Sequence, residues 1–180
     1  MDEITVLLII ASEGFQQVEY GITKKILTDA GFIVVTASNT SGTAVAKDGS
    51  TTHIDITLEA VMVNNYAGIF FIGGPGALEH LDNNTSYKII QEAFYQHRPI
   101  GAICIATRIL AKTNVLRNKY VTGWNDDGLL NALYKECGAV YLPEEKVVVD
   151  SNTITATDPS AAQQFGEKIV ELLQSKQRWG

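Results

Sequence analysis

One cysteine of this 180-residue chain stands in a pattern that suits a nucleophile. Cys104 lies in the stretch PIGAICIATRIL, where Ala102 and Ala106 complete the motif small-x-Cys-x-small. A nucleophile on a tight strand-to-helix turn needs small residues two positions away on each side, because the strand and helix backbones nearly touch there. Exposed N–H groups at a helix start also favour thiolate over thiol. The pattern therefore predicts a nucleophilic cysteine with a lowered pKa.

Backbone groups and one carboxylate are the predicted partners of Cys104. The N–H groups of Ile105 and of the Gly73-Gly74 turn, which follows another apolar run, are expected to form an oxyanion site. No histidine follows the cysteine in the chain, so the acid or base must be a carboxylate. Glu19 is the best candidate, because it comes just after the end of the first predicted strand.

Each of these residue types also has a structural explanation. Cys104 would be an inert core thiol if the apolar run simply buries it, since free cysteine is among the most buried residues. Glu19 would be an exposed first-turn glutamate that interacts with the helix dipole.

Cys137 falls late in an amphipathic segment and is predicted to pack or face solvent. Arg108 is expected to make surface or interface pairs, and Arg98 lies at a strand start, far from the active end.

Short apolar runs alternate with segments of helical spacing, and this alternation predicts the elements that hold the site. Runs that are apolar on both faces are typical of parallel strands covered by helices on both sides. The predicted strands are ITVLLIIA (4–11), FIVVTAS (32–38), AGIFFIGG (67–74), PIGAICI (99–105), KVVVD (146–150) and TITAT (153–157). The predicted helices are VEYGITKKILTDAG (18–31), TSYKIIQEAFYQH (85–97), a segment just after Cys104, DDGLLNALYKECG (126–138) and DPSAAQQFGEKIVELLQ (158–174). The fold class is α/β, a flavodoxin-like three-layer α/β/α sandwich with a mostly parallel sheet.

Three local signals refine this architecture. KDGST (47–51) predicts a hairpin turn between short strands. Asp158 is a predicted N-cap, with Pro159 at the first helical position. The segment 126–138 begins with carboxylates, which suit a helix N-terminus, and ends at Gly138.

The length, composition and charge of the chain argue against several classes of function. The length predicts one domain over residues 1–180, and 46% apolar with 19% charged residues is an ordinary globular mix. A net charge of −6 without a basic run argues against nucleic-acid binding. No run is long enough to cross a membrane, and the acidic start does not resemble a signal peptide, so a cytoplasmic location is expected. Two cysteines and three scattered histidines predict neither a disulfide nor a metal site, and no cofactor motif is present.

Four stretches of the chain resemble the ThiJ/PfpI superfamily, which has a class I glutamine amidotransferase-like fold. The resemblance covers essentially the whole chain. It implies that Cys104 is the elbow cysteine, that Glu19 hydrogen-bonds its sulfur, and that the backbone of Gly73 and Gly74 faces the site. It also implies a homodimer. The stretches are VLLIIASEGFQQVEYGITKKILTDAGFIVVTAS, AGIFFIGGPGALEHL, RPIGAICIATRILAKTNVLRNKYVTG and EKVVVDSNTITATDPSAA.

The chain departs from the family pattern around the predicted pocket. Ile105 replaces the histidine that follows the cysteine in PfpI-type proteases, which removes the local base and argues against protease activity. Gln16 stands where an acidic residue often occurs, and Trp124 replaces the histidine or tyrosine of the two well-known branches. Thr157 and Asp158 replace an Arg-Gly pair. We therefore expect a pocket, walled by Trp124 and Gln16, that differs from both branches.

Three functional hypotheses follow. The first is an enzyme that acts on small reactive carbonyls, as a glyoxalase or deglycase does, or a hydrolase or amidase. The second is an oxidation-sensing, stress-response or chaperone-like protein in which Cys104 is oxidised and turnover is low. The third is a family member in which the turn at Cys104 is purely structural.

Overall fold

The computed structural model describes residues 3–177, which form a seven-stranded central sheet with helices on both faces. The strand order is β11-β12-β8-β7-β1-β3-β6, and every pairing is parallel except that of β11 with β12. The predicted α/β/α fold is therefore confirmed. The strands of this sheet are β1 (Thr5–Ile9), β3 (Ile33–Ser38), β6 (Ile56–Thr57), β7 (Gly68–Phe71), β8 (Ile100–Ile103), β11 (Val147–Asp150) and β12 (Thr153–Ala156).

The helices form the two outer layers. The connections β1-α1-β3 and β7-α3-β8 run in opposite directions along the sheet, and right-handed crossovers therefore place α1 and α3 on opposite faces. Helix α6 packs against α1, and α4 packs against α3 and α5. Within residues 3–177, no helix combines the length and apolar character needed to cross a membrane. The helices are α1 (Gln17–Asp29), α2 (Ala77–His80), α3 (Asn84–Tyr95), α4 (Thr107–Ala111), α5 (Leu130–Cys137) and α6 (Ala162–Gln177).

The central strands form the core because they are apolar on both faces. All residues of β7 and β8, and all but the first of β1, are buried. Such strands need covering layers on both sides, which the helices supply. The reversal of connection direction between β1 and β7 creates a crevice at the carboxyl ends of these strands, the usual ligand position in open α/β sheets.

A small sheet lies beside this edge. It contains β2 (Glu13–Phe15), β4 (Gly42–Ala46) and β5 (Thr51–Ile54), in the order β2-β4-β5. The predicted hairpin turn is confirmed, since β4 and β5 pair antiparallel and the Asp48 side chain accepts a hydrogen bond from the Ser50 N–H at 2.9 Å. Two further short strands, β9 (Tyr120–Val121) and β10 (Val140–Tyr141), pair in parallel.

One helix start differs from the sequence prediction and one cap agrees with it. The structure begins α5 at Leu130 rather than at Asp126, because Gly128 has φ +74°, which interrupts a right-handed helix. The carboxylates before α5 therefore belong to a turn. The Asp158 side chain accepts from the Ser160 N–H at 2.7 Å, which confirms the predicted N-cap.

Candidate active site

Cys104 lies at the junction between β8 and the helix that follows it. Its φ is +62°, in the left-handed region that non-glycine residues rarely adopt, and a short 3-10 turn over Cys104–Ala106 leads into α4. The side chain is half-buried. The backbone thus turns sharply at the cysteine and leaves its sulfur partly accessible at the carboxyl edge of the sheet.

The turn after β7 lies directly against this cysteine. A Cβ atom at Gly73 would be 2.6 Å from the Cβ of Cys104, 2.8 Å from Oε2 of Glu19 and 2.9 Å from the carbonyl oxygen of Ile103. Real Cβ contacts are never so short, so only glycine fits here. The ends of β7 and β8 and the start of α1 therefore meet at Gly73.

Glu19 is completely buried in the first turn of α1, and its carboxyl group faces Gly73 and Cys104. Oε2 accepts a hydrogen bond from the Gly73 N–H at 2.9 Å, and the Cys104 thiol also interacts with the carboxyl group. Burial raises the pKa of Glu19 from 4.5 to about 7, and these two hydrogen bonds offset the rise only in part. The structure thus excludes the alternative of an exposed first-turn glutamate.

The protonation state of Cys104 differs from the sequence expectation. The N–H groups of Ile105 and Gly74 point at the sulfur and lower its pKa, as expected for donors at this turn. Burial and the charge of Glu19 outweigh them and raise the pKa of the thiol to about 12. The predicted lowering was wrong because it counted the donors and omitted desolvation and the buried carboxylate. At neutral pH, Glu19 is therefore the group that exchanges a proton, and Cys104 is a thiol.

Gln16 lies beside the site, and its polar groups stabilise the start of helix α1. Its side chain caps α1 by accepting from the Val18 N–H at 3.1 Å, and its own N–H donates to the carbonyl oxygen of Gly73 at 2.9 Å. Both contacts hold the start of α1, and with it Glu19, against the Gly73 turn.

Trp124 contacts the cysteine backbone directly, and its ring packs against Arg108, which sequence reasoning placed on the surface. The Trp124 N–H donates to the Cys104 carbonyl oxygen at 3.5 Å, and the indole ring is half-buried. Arg108 is 7% exposed, stacks on that ring at 5.3 Å and bonds Asp127 at 2.7 Å. The expectation of surface pairs was wrong. Sequence spacing gave no signal for this burial, because the partners of Arg108 lie in a loop distant in the chain.

Two charges from outside the central sheet reach Glu19. Asp158, in the turn after β12, raises the pKa of the carboxyl group, and Lys47, in the β4–β5 turn, lowers it. Both effects are smaller than that of burial. From sequence, Asp158 entered only as a departure from the family pattern around the pocket, and Lys47 was not assigned to the site, since nothing in the spacing brings these turns together.

The glycines of the turn after β7 also allow a neighbouring strand to pack closely. Cβ atoms at Gly74 and Gly76 would overlap the carbonyl oxygens of Gly14 and Glu13, so these glycines allow β2 to approach. In the part of the chain that the structure describes, no group of three or more His, Cys, Asp or Glu side chains is arranged to hold a metal.

Comparison with protein-family models matches residues 4–172 to the DJ-1/PfpI family. Among curated proteins, an uncharacterized protein from Methanocaldococcus jannaschii is 30% identical over 175 residues, covering 97% of this chain and 84% of its own length. A deglycase from Pyrococcus abyssi is 26% identical over 169 residues, covering 93% of this chain and 98% of its own length. Among solved structures, a ThiJ/PfpI domain protein from Brachyspira murdochii superposes with a TM-score of 0.90 at 26% identity, covering 97% of this chain and 99% of its own.

Replacement of Glu19 by Gln should change how stability depends on pH. The folded state holds this proton up to about pH 7, whereas the unfolded carboxyl loses it near pH 4.5, so the contribution of Glu19 to stability falls as the pH rises between these values. Because Glu19→Gln removes that loss, it should raise the free energy of unfolding by roughly 3 kcal/mol at pH 8 and by close to none at pH 4. Urea unfolding at both pH values measures this free energy. The exposed Glu59→Gln is the control, and equal pH dependence in all three proteins would contradict the assignment.

Replacement of Arg108 by Met should release the loop that carries Trp124. The variant loses the stacking on the indole and the bond to Asp127, so we expect a red-shifted Trp124 emission and stronger quenching by acrylamide. A Trp179→Phe background leaves Trp124 as the sole tryptophan, because the chain has two. Arg108→Lys keeps the charge but not the planar guanidinium, so its Trp124 emission and acrylamide quenching should lie between those of the wild type and of Arg108→Met. Unchanged spectra in both variants would show that Arg108 does not hold the loop.

Proposed function

The chain belongs to the DJ-1/PfpI family, and from this premise we propose that it is an enzyme acting on small reactive carbonyl compounds through Cys104 and Glu19. One observation carries the proposal. A completely buried carboxyl group with a pKa of about 7 contacts the half-buried thiol of Cys104. A base is most effective when its pKa is near the working pH, and this one lies next to the proton it must accept. The similarity to a protein named as a deglycase supports the reaction class.

The first step is addition of the thiol to an aldehyde. The sulfur forms a bond to the carbonyl carbon while the thiol proton passes to the Glu19 carboxylate, and the carbonyl electron pair moves onto oxygen. The N–H groups of Gly74 and Ile105, which point at the sulfur in the free protein, lie close enough to stabilise the developing oxyanion. Return of the proton from Glu19 to that oxygen completes a hemithioacetal.

With an α-dicarbonyl substrate the same carboxyl group can finish the reaction. The Glu19 carboxylate takes the proton from the hemithioacetal carbon and returns it to the neighbouring carbonyl carbon, which turns the adduct into a thioester of a 2-hydroxy acid. Water then cleaves the thioester and regenerates the thiol. The substrate carbons exchange oxidation state between themselves, so no external oxidant or reductant is required.

The raised pKa of Cys104 favours this function over oxidation sensing. Peroxide reacts with thiolates, and burial with an ionised Glu19 lowers the thiolate fraction of Cys104. Carbonyl addition with a neighbouring base needs no preformed thiolate, because deprotonation accompanies bond formation.

We also propose that the protein works as a homodimer through α1. Val18 and Ile22 are 39% and 37% exposed and lie one turn apart on the same face of this helix. Exposed Val45 lies on β4, which pairs with β2 immediately before α1. Burial of this apolar face against a second copy would also fix the helix that carries Glu19.

A cytoplasmic location fits the two cysteines. Cys104 and Cys137 are both free thiols. The proposed chemistry requires a reduced Cys104, and a reducing compartment keeps it so.

Substitutions at the two reacting groups should abolish or strongly lower the turnover of methylglyoxal and glyoxal. Cys104→Ser removes the nucleophile, and Glu19→Gln should lower kcat by about 10²–10⁴-fold through loss of the base. Because the base must be ionised, the wild-type rate should rise with pH through a pKa of about 7. Cys137→Ser is the matched control and should retain activity, because it alters a thiol that only donates a hydrogen bond to the Tyr134 carbonyl oxygen. Absence of turnover with dicarbonyls, amides and short peptides would refute the proposal.

Light scattering on samples separated by size-exclusion chromatography, at micromolar concentration, tests the dimer prediction. Ile22→Lys should give monomers, because it places a charge in the apolar face of α1. Ile33→Lys replaces an isoleucine of similar exposure, 39%, on β3 and should leave the dimer intact. A monomeric wild-type protein, or equal effects of both substitutions, would exclude this interface.

A further inference from the structure

The turn that follows β12 brings a carboxylate to the edge of the sheet where Cys104 lies. β12 pairs in parallel with β8, and Ala156 lies opposite Ile103. The next residues, Thr157 and Cys104, therefore leave neighbouring strands at the same level of the sheet. Asp158 follows directly, and the spacing of strands and of successive residues puts its Cα within about 10 Å of that of Cys104. Asp158 thus flanks the cysteine on the side away from β7.

The carboxylate of Asp158 is ionised at neutral pH and is not neutralised by a partner. Burial alone would raise its pKa, but hydrogen bonds, chiefly from Ser160, outweigh burial and lower the pKa below 3.8. The Ser160 N–H donates to Oδ1 at 2.7 Å. Within residues 3–177, no cationic side chain forms an ion pair with Asp158. The ammonium group of Lys146 donates to Oγ of Ser160 instead, at 3.1 Å.

The charge of Asp158 reaches the reacting groups. It raises the pKa of the Glu19 carboxyl group, which contacts the thiol, and Lys47 opposes this effect less strongly. The guanidinium of Arg108, which stacks on the ring beside the site, is neutralised by Asp127 at 2.7 Å. Glu19 is itself partly ionised at neutral pH, because its pKa is about 7. The charge around the sulfur is therefore negative.

We propose that Asp158 determines which carbonyl compounds react at Cys104, by repelling those that carry a carboxylate or phosphate group. This inference rests on the proposed carbonyl chemistry and names its substrate class, which is uncharged aldehydes and ketoaldehydes. An anionic substrate must bring its charge close to Asp158 to reach the sulfur. That separation is comparable to the Debye length of about 8 Å at physiological ionic strength, so dissolved ions screen the repulsion only in part.

Alkylation of Cys104 by a neutral and an anionic reagent of similar size tests the proposal without turnover. Iodoacetamide and iodoacetate react with the same thiolate, so the ratio of their rate constants does not depend on the thiolate fraction. All proteins carry Cys137→Ser, and 2-mercaptoethanol gives the intrinsic ratio of the two reagents. We expect Cys104 to prefer iodoacetamide at least about fivefold more than 2-mercaptoethanol does, and 1 M salt to remove most of this preference.

Four variants assign the preference to a particular charge. Asp158→Asn should lower it at least about threefold, because it removes the charge and keeps a good N-cap. Asp158→Ser also keeps a good N-cap and should give the same ratio. Lys47→Gln removes the opposing charge and should raise the preference. Asp29→Asn changes the net charge as Asp158→Asn does, but it lies at the far end of α1, about 15 Å from Glu19, and should have no effect.

Turnover distinguishes failure of this inference from failure of the proposed function. We expect a lower kcat/KM for 4-carboxyphenylglyoxal than for phenylglyoxal, mainly through KM, and a smaller difference in Asp158→Asn. Absence of turnover with every dicarbonyl would refute the proposed function, and the alkylation ratio would still decide whether Asp158 repels anions at Cys104. A wild-type ratio equal to that of 2-mercaptoethanol, or equal ratios in wild type and Asp158→Asn, would overturn the inference.

Discussion

The close approach of the Gly73 backbone to Cys104 and Glu19 is the contact on which the rest of the site depends. A single methyl group at Gly73 would overlap both side chains. Three separate elements, the ends of β7 and β8 and the first turn of α1, must therefore pack without any side chain between them. This arrangement is possible because the central strands are buried on both faces and hold a fixed register.

The same packing sets the chemistry through desolvation. Glu19 is completely buried, and a carboxyl group that is removed from water keeps its proton to higher pH. The protein gives up stability at neutral pH to hold an ionisable group where water would otherwise solvate it. The same burial that lowers stability gives this carboxyl group a pKa near neutrality, which the proposed role of Glu19 as a base requires. Cys104 shares the enclosure, so its own ionisation is suppressed while Glu19 stays charged.

The sequence predicts most of the fold, because that information is local. Doubly apolar runs identify the strands, and a side-chain cap such as Asp158 identifies a helix start. The meeting of Cys104 with Glu19 was expected from strand ends and from the family resemblance. The direction of the thiol pKa was missed because desolvation depends on atoms distant in the chain. The burial of Arg108 was missed for the same reason, since its partners, an indole and a carboxylate, lie in a loop that spacing does not locate.

Lys47 and Asp158 suggest how this scaffold adjusts its reactivity. Both residues belong to turns outside the rigid central strands, and they shift the acidity of Glu19 in opposite directions without touching the floor of the site. Lys47 is exposed and Asp158 half-buried, so salt weakens the effect of Lys47 more, whereas it does not change the effect of burial. Exchange of one such turn residue would therefore shift the proton affinity of the enclosed acid while the packed interior stays unaltered.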